Sequence, residues 1–185
     1  MKIVATAIKE VLLIEPQRFG DRRGYFLETY QQQRYAEAGI DAVFVQDNIS
    51  FSQRGILRGL HFQHPQAQAK LVQVLAGEIF DVAVDVRRGS PTFGRWIGAT
   101  LSASEPRQLY IPKGFAHGFC VLSPTALFSY KCSDFYSPQH ENGLRWNDPD
   151  LAIDWPVKSP VLSDRDQAFP ALKEIPPERL PAYEV

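Results

Sequence analysis

Apolar and polar positions alternate along most of this chain, and that period of two predicts strands rather than helices. Lys70–Leu75 and Glu78–Val86 are two such runs, and Ala76-Gly77 between them is a hairpin turn signal. In the second run Phe80, Val82, Val84 and Val86 share one face, and Asp81 and Asp85 share the other. Arg95–Leu101, Gln108–Pro112, Gly118–Leu122 and Ala126–Cys132 continue the series, with glycine and proline punctuating at 89–91, 112–114 and 123–124. Leu57, Leu60 and Phe62 mark a further short strand, and Arg58 and His61 give it a cationic, titratable face. Phe19–Glu28 reads as a charged turn leading into a strand, and Gln46–Ser50 as a polar turn. Only Gln31–Ala38 reads as a helix, closed by Gly39 as a left-handed cap, with a second short helical stretch after Ser163. Many short strands with regular turns predict an all-β fold, an antiparallel sandwich or barrel. The tail from Pro170 onward, rich in proline and charge, is expected to wrap the surface in loops.

Composition narrows the function. At 185 residues the chain fits one domain, residues 1–185, with a sizeable core. A formal net charge of -1 lacks the basic excess of a general nucleic-acid or membrane-surface binder. No apolar run approaches a membrane span, and the first residues lack the pattern of a signal peptide, so a cytoplasmic location is expected. Cys120 and Cys132 lie in apolar strand runs and are expected to be free buried thiols in a reducing compartment.

The chemistry concentrates in Arg54–Pro65, where a chain with four histidines places two of them beside two arginines. Histidine is the side chain whose unperturbed pKa, about 6.5, suits proton transfer near neutrality. Arg58 and His61 are three apart, so both can face one cavity only if the strand is irregular, and Gly59 is the residue expected to supply that irregularity. Pro112–Phe119 has the form PxGxxHxF, which resembles the second motif of cupins, jelly-roll barrels that often hold a metal through histidines. The first metal motif of such proteins is absent. His61 and His64 are spaced HxxH, and the next charge is Lys70, a cation that would repel a divalent metal. A metal-free cavity is therefore favoured. The bland readings remain beside these: His117 holding its turn, His64 on a rim, His140 solvated, Arg54 and Lys113 as surface charges.

Six pieces taken together resemble the dTDP-4-dehydrorhamnose 3,5-epimerase family. They are Phe19–Gly24, Val45–Asn48, Gly55–Gln63, Phe80–Asp85, Ile111–Phe119 and Leu144–Pro149, in order through nearly the whole chain. The resemblance implies a cupin-like jelly roll with short peripheral helices. It implies cofactor-free epimerisation at C3 and C5 of dTDP-4-dehydro-6-deoxy-D-glucose, on the route to dTDP-L-rhamnose, a precursor of lipopolysaccharide or cell-wall polysaccharide. It also implies roles. His61 resembles the general base and Asp166 its partner, with Asp164 and Asp85 competing for that place. Tyr130 resembles the opposing acid, and Lys70 the cation beside the keto oxygen. Arg23, Glu28, Gln46, Asp47, Asn48, Arg58, His117, Glu141 and Arg165 resemble substrate contacts, and Tyr136 the ring that stacks on thymine. A homodimer is implied, with the N-terminal segment carrying Arg23 and Glu28 to the partner's site. Two other function classes stand beside this one: a related nucleotide-sugar 5-epimerase, 3-epimerase or 3,4-ketoisomerase, and a non-enzymatic metal-binding cupin.

Overall fold

A computed structural model describes residues 1–183. Its strands are β1 (Lys2–Ala5), β2 (Leu12–Glu15), β3 (Arg18–Asp21), β4 (Gly24–Leu27), β5 (Gln46–Gln53), β6 (Leu57–Gln63), β7 (Lys70–Ala76), β8 (Glu78–Asp85), β9 (Trp96–Ser102), β10 (Gln108–Ile111), β11 (Phe115–Val121), β12 (Thr125–Cys132) and β13 (Glu141–Gly143). The α-helices are α1 (Gln32–Glu37) and α2 (Asp164–Gln167). One sheet runs β1-β2-β10-β7-β12-β5 and a second β13-β6-β11-β8-β9, every pairing antiparallel. β3 and β4 form a separate hairpin. The two large sheets pack face to face as a cupin-like jelly roll. Val72, Val74, Leu109 and Phe128 of the first meet Ile79, Ile97, Leu101, Phe119 and Val121 of the second.

The helices fall where capping chemistry puts them. The Gln31 side chain accepts from the Arg34 N–H to open α1, and Gly39 follows at φ +87. The Ser163 hydroxyl accepts from the Asp166 N–H to open α2. Among the described residues no helix is long and apolar enough to cross a membrane. Both cysteines are free and buried.

Three sequence expectations change. Ala76-Gly77 is not a hairpin turn: β7 and β8 lie in different sheets, so the chain crosses between layers there. Gly77 is required at that crossing, because a Cβ on it would lie 2.1 Å from the Thr125 carbonyl oxygen. Gln46–Ser50 is not a turn but the first part of β5, fully paired with β12. The third change concerns the tail, which packs on β8, where the valine face points outward and the aspartate face inward. Val82, Val84 and Val86 pack under Leu151, Trp155, Leu172, Ile175 and Leu180, while Asp81 and Asp85 are both fully buried. The tail therefore does more than wrap the surface. Short 3-10 turns at Leu172–Glu174 and Pro177–Arg179 carry its apolar residues onto the outer face of the second sheet. The last two residues of the expected tail, Glu184 and Val185, lie outside the described residues.

Candidate active site

A cavity of about 800 Å³ opens between the two sheets. His61 (β6) and His117 (β11) line it from the second sheet, and Lys70 (β7), Tyr130 (β12), Gln46 and Asn48 (β5) from the first. Ser50, Arg58, Tyr136, Glu141, Arg165 and Asp166 add polar lining, and Phe119 and Phe128 make apolar wall.

β6 shows how the local sequence aims its side chains. Arg58 pairs with Phe119 of β11 and His61 with His117, so two residues of β6, Gly59 and Leu60, stand opposite the single Gly118 of β11. The extra residue is the expected Gly59, at φ +120, followed by a cis peptide to Leu60. Arg58 and His61 both reach the cavity as a result, while Leu60 and Phe62 face the outer core. Only glycine fits there, since a Cβ would sit 2.6 Å from Gly118 Cα and 2.7 Å from the His117 carbonyl oxygen.

Asp166 is the carboxylate that meets His61, at 2.8 Å from Nε2. It also accepts from the Gly59 N–H at 3.1 Å, so the bulge and the pair form one unit. Burial pushes the Asp166 carboxyl up, but the His61 contact, the Gly59 N–H and Ser163 outweigh it and hold the group below the usual carboxylate range. An ionised Asp166 makes Nε2 of His61 the donor and leaves the lone pair on Nδ1. The competing candidates are elsewhere. Asp85 accepts from Arg87, Ser90 and Thr92 at the barrel end, and Asp164 does not line the cavity.

A second histidine–carboxylate pair lies beside the first. His117 Nε2 sits 2.9 and 3.1 Å from the oxygens of Asp81, which is wholly buried, and its ring stacks on Phe128. His117 thus lines the cavity rather than merely holding its turn. Asp81 was not singled out in the sequence, because alternation places it opposite the valine face without saying which face lies inside. Burial pushes the Asp81 carboxyl up, opposed by His117 and Lys70, and pushes the His117 imidazole down. Burial also holds the Lys70 ammonium below the ordinary lysine range, with Cys132, Asp81 and Glu141 opposing.

At the mouth, the Tyr136 hydroxyl donates to Glu141 at 2.7 Å, and Arg165 grips the same carboxylate at 2.6 and 3.2 Å. Arg58 Nε donates to the Ser52 hydroxyl at 3.0 Å, a support absent from the sequence reading. Burial, with Cys132 and Glu141, raises the Tyr130 phenol, while Arg58 pulls it down. Among the described residues no group of three His, Cys, Asp or Glu side chains converges as metal ligands.

Three of the expected contacts are not in this cavity. Asp47 lies on the outer face of β5, paired with Lys131 at 2.9 Å, because the period of two turns it away when Gln46 and Asn48 face in. Arg23 pairs with Asp21 within the exposed β3–β4 hairpin. Glu28, just beyond the hairpin, pairs with Arg34 of α1.

The chain matches the family model described as dTDP-4-dehydrorhamnose 3,5-epimerase over residues 5–174. It is 57% identical over 169 residues to the dTDP-4-dehydrorhamnose 3,5-epimerase of Pseudomonas aeruginosa, covering 90% of this chain and 93% of that protein. It is 55% identical over 168 residues to the enzyme of that name from Shigella flexneri, covering 90% and 93%. Among solved structures, a dTDP-6-deoxy-D-glucose-3,5-epimerase from Legionella pneumophila, in complex with dTDP-4-keto-L-rhamnose, superposes with a TM-score of 0.97 at 55% identity over 100% of this chain and 99% of that one. With family model, relatives and fold in agreement, the chain belongs to the dTDP-4-dehydrorhamnose 3,5-epimerase family.

Proposed function

We infer that this protein, an isomerase, epimerises C3 and C5 of dTDP-4-dehydro-6-deoxy-D-glucose to give dTDP-4-dehydro-L-rhamnose, on the route to dTDP-L-rhamnose. One observation carries the mechanism: His61 and Tyr130 line the same cavity from opposite sheets. Epimerisation beside a ketone needs a base on one face of the ring and an acid on the other. His61 removes the carbon-bound proton through Nδ1, and Asp166 stabilises the imidazolium that forms. Negative charge develops on the 4-keto oxygen. Lys70, with His117 beside it, stabilises this enolate without a cofactor. Tyr130 returns a proton to the far face. Arg58 and Arg165 supply cations for the diphosphate, and Tyr136 a flat ring for thymine.

The active form is a homodimer. The hairpin that carries Arg23 holds exposed apolar side chains, Phe19 at 59% and Phe26 at 68%, which suit burial against a second copy. Crossing to that copy would bring Arg23 and Glu28 to the partner's cavity. The chain works as one domain in the cytoplasm.

Incubation in deuterium oxide tests the reaction. Label is expected at both C3 and C5, whereas label at one carbon would reduce the protein to a single epimerase. His61→Ala is expected to abolish exchange while keeping the circular-dichroism spectrum; near-normal exchange would remove His61 from the base role. Tight stoichiometric metal in the purified protein would overturn the cofactor-free mechanism.

A further inference from the structure

The inner side of β5 carries a ladder of polar side chains, and all rungs but one are occupied. Gln46 Nε2 donates to Asn48 Oδ1 at 3.1 Å, and Gln46 Oε1 accepts from the Tyr136 N–H at 2.9 Å. Asn48 Nδ2 lies 3.7 Å from Cys132 Sγ. Ser52 Oγ accepts from Arg58. Ser50, between Asn48 and Ser52, lines the cavity, and its hydroxyl is buried with no hydrogen-bond partner among the described residues. A buried hydroxyl left without a partner is costly, and native proteins retain few of them.

The position of this hydroxyl along the cavity indicates what completes it. Gln46 and Tyr136 mark the nucleotide end. Asn48 stands opposite Tyr130 in the β5–β12 ladder and Ser50 opposite Phe128, one rung deeper. Cross-strand diagonal neighbours are within side-chain reach, so Ser50 flanks the Tyr130 phenol on the wall facing His61. Phe128 and Phe119 supply the remaining wall there, and neither can accept or donate a hydrogen bond. We propose that Ser50 is a specificity-determining residue for the sugar, its hydroxyl bonding a ring hydroxyl of the hexose held between Tyr130 and His61. This rests on the epimerase reading and adds a contact to it. Ser50 neither takes nor gives the transferred proton, so its bond is present in ground and transition states alike and acts on KM.

Steady-state kinetics of Ser50→Ala with dTDP-4-dehydro-6-deoxy-D-glucose test the proposal, together with the binding of dTDP alone. KM is expected to rise roughly tenfold, as for a lost bond to a buried hydroxyl, with kcat within about twofold. Affinity for dTDP is expected to stay unchanged. The melting temperature is expected not to fall, because Ser50 gives up no bond within the protein. An unchanged KM overturns the proposal. So does a parallel loss of dTDP affinity, which would put the contact on the nucleotide. The wild-type protein run in parallel separates this from the reaction itself: if it labels neither C3 nor C5, the epimerase reading falls, whereas an active wild type with an indifferent Ser50→Ala removes Ser50 alone.

Discussion

A carboxylate taken out of water loses hydration that only close, charged or hydrogen-bonding partners can replace. Asp166 has three such partners: His61, the Gly59 N–H and the hydroxyl of Ser163, the residue that opens α2. Its ionised form fixes the tautomer of His61, so Asp166→Asn is expected to lower kcat by roughly a hundredfold or more with the fold intact, measured by proton exchange at C5. Asp81 does the equivalent for His117 from the neighbouring strand, but it contacts no solvent and, in the proposed mechanism, supports the oxyanion side. Asp81→Asn is expected to reduce kcat by roughly ten- to a hundredfold with a smaller change in KM, because His117 acts where charge accumulates in the transition state. A fall in KM-linked binding alone, with kcat preserved, would count against that role.

At the scale of the element, β6 and β5 aim side chains by opposite means. In β6 a bulge breaks the alternation so that Arg58 and His61 share a cavity. Gly59→Ala forces a methyl into the backbone of β11 and asks a non-glycine residue to hold φ +120. It is expected to cost several kcal/mol and to lower the melting temperature by roughly 10 °C, with activity lost alongside. In β5 the alternation is unbroken, so neighbouring residues have unrelated duties. Asn48→Ala is expected to raise KM severalfold, whereas Asp47→Ala loses only an exposed pair with Lys131, worth about 0–1 kcal/mol, and leaves KM unchanged. That contrast is partly legible in the sequence. Val45–Asn48 marks the segment, but which of its polar residues face inward depends on its being a strand.

For the whole molecule, two groups of exposed apolar side chains stand out: the hairpin with Phe19, Tyr25 and Phe26, and the outer face of β5 with Ile49 at 65% and Phe51 at 61%. If the proposed homodimer forms through these faces, combining Phe26→Asp with Phe51→Asp is expected to turn a dimer into a monomer in sedimentation and to reduce turnover, since the proposed contribution of Arg23 and Glu28 to the partner's cavity is then lost. Acid stability draws on the barrel end as well as on Asp166. Burial pushes Asp85 up, but bonds from Arg87, Ser90 and Thr92 hold it below its ordinary value. A depressed carboxylate contributes stability that is present above its unfolded pKa, about 3.9, and lost as pH falls through the folded value. The melting temperature is therefore expected to drop steeply below about pH 4. Asp85→Asn, which leaves the mostly buried Arg87 with only Glu10 as a carboxylate partner, is expected to cost about 3 kcal/mol at neutral pH and to flatten that drop.

Most of the central strands, the Gly39 cap, the helix after Ser163 and the Gly59 irregularity follow from local patterns, because backbone period, capping chemistry and glycine conformation act within a few residues of sequence, whereas the site residues came from the family resemblance, and eleven of those fourteen line one cavity. Tertiary structure alone decided the remainder. A period of two states which residues share a face of β8 but not which face is inside. Both faces are buried, one under the tail and one in the barrel, so the valines point out and Asp81 points in. Alternation likewise could not tell a hairpin at Ala76-Gly77 from a crossing between sheets, since a turn signal has no knowledge of the partner strand. The identity of the carboxylate on His61 was the least local of all. Asp166 lies 105 residues away, and only the packing of α2 against the β6 bulge brings the two within hydrogen-bonding distance.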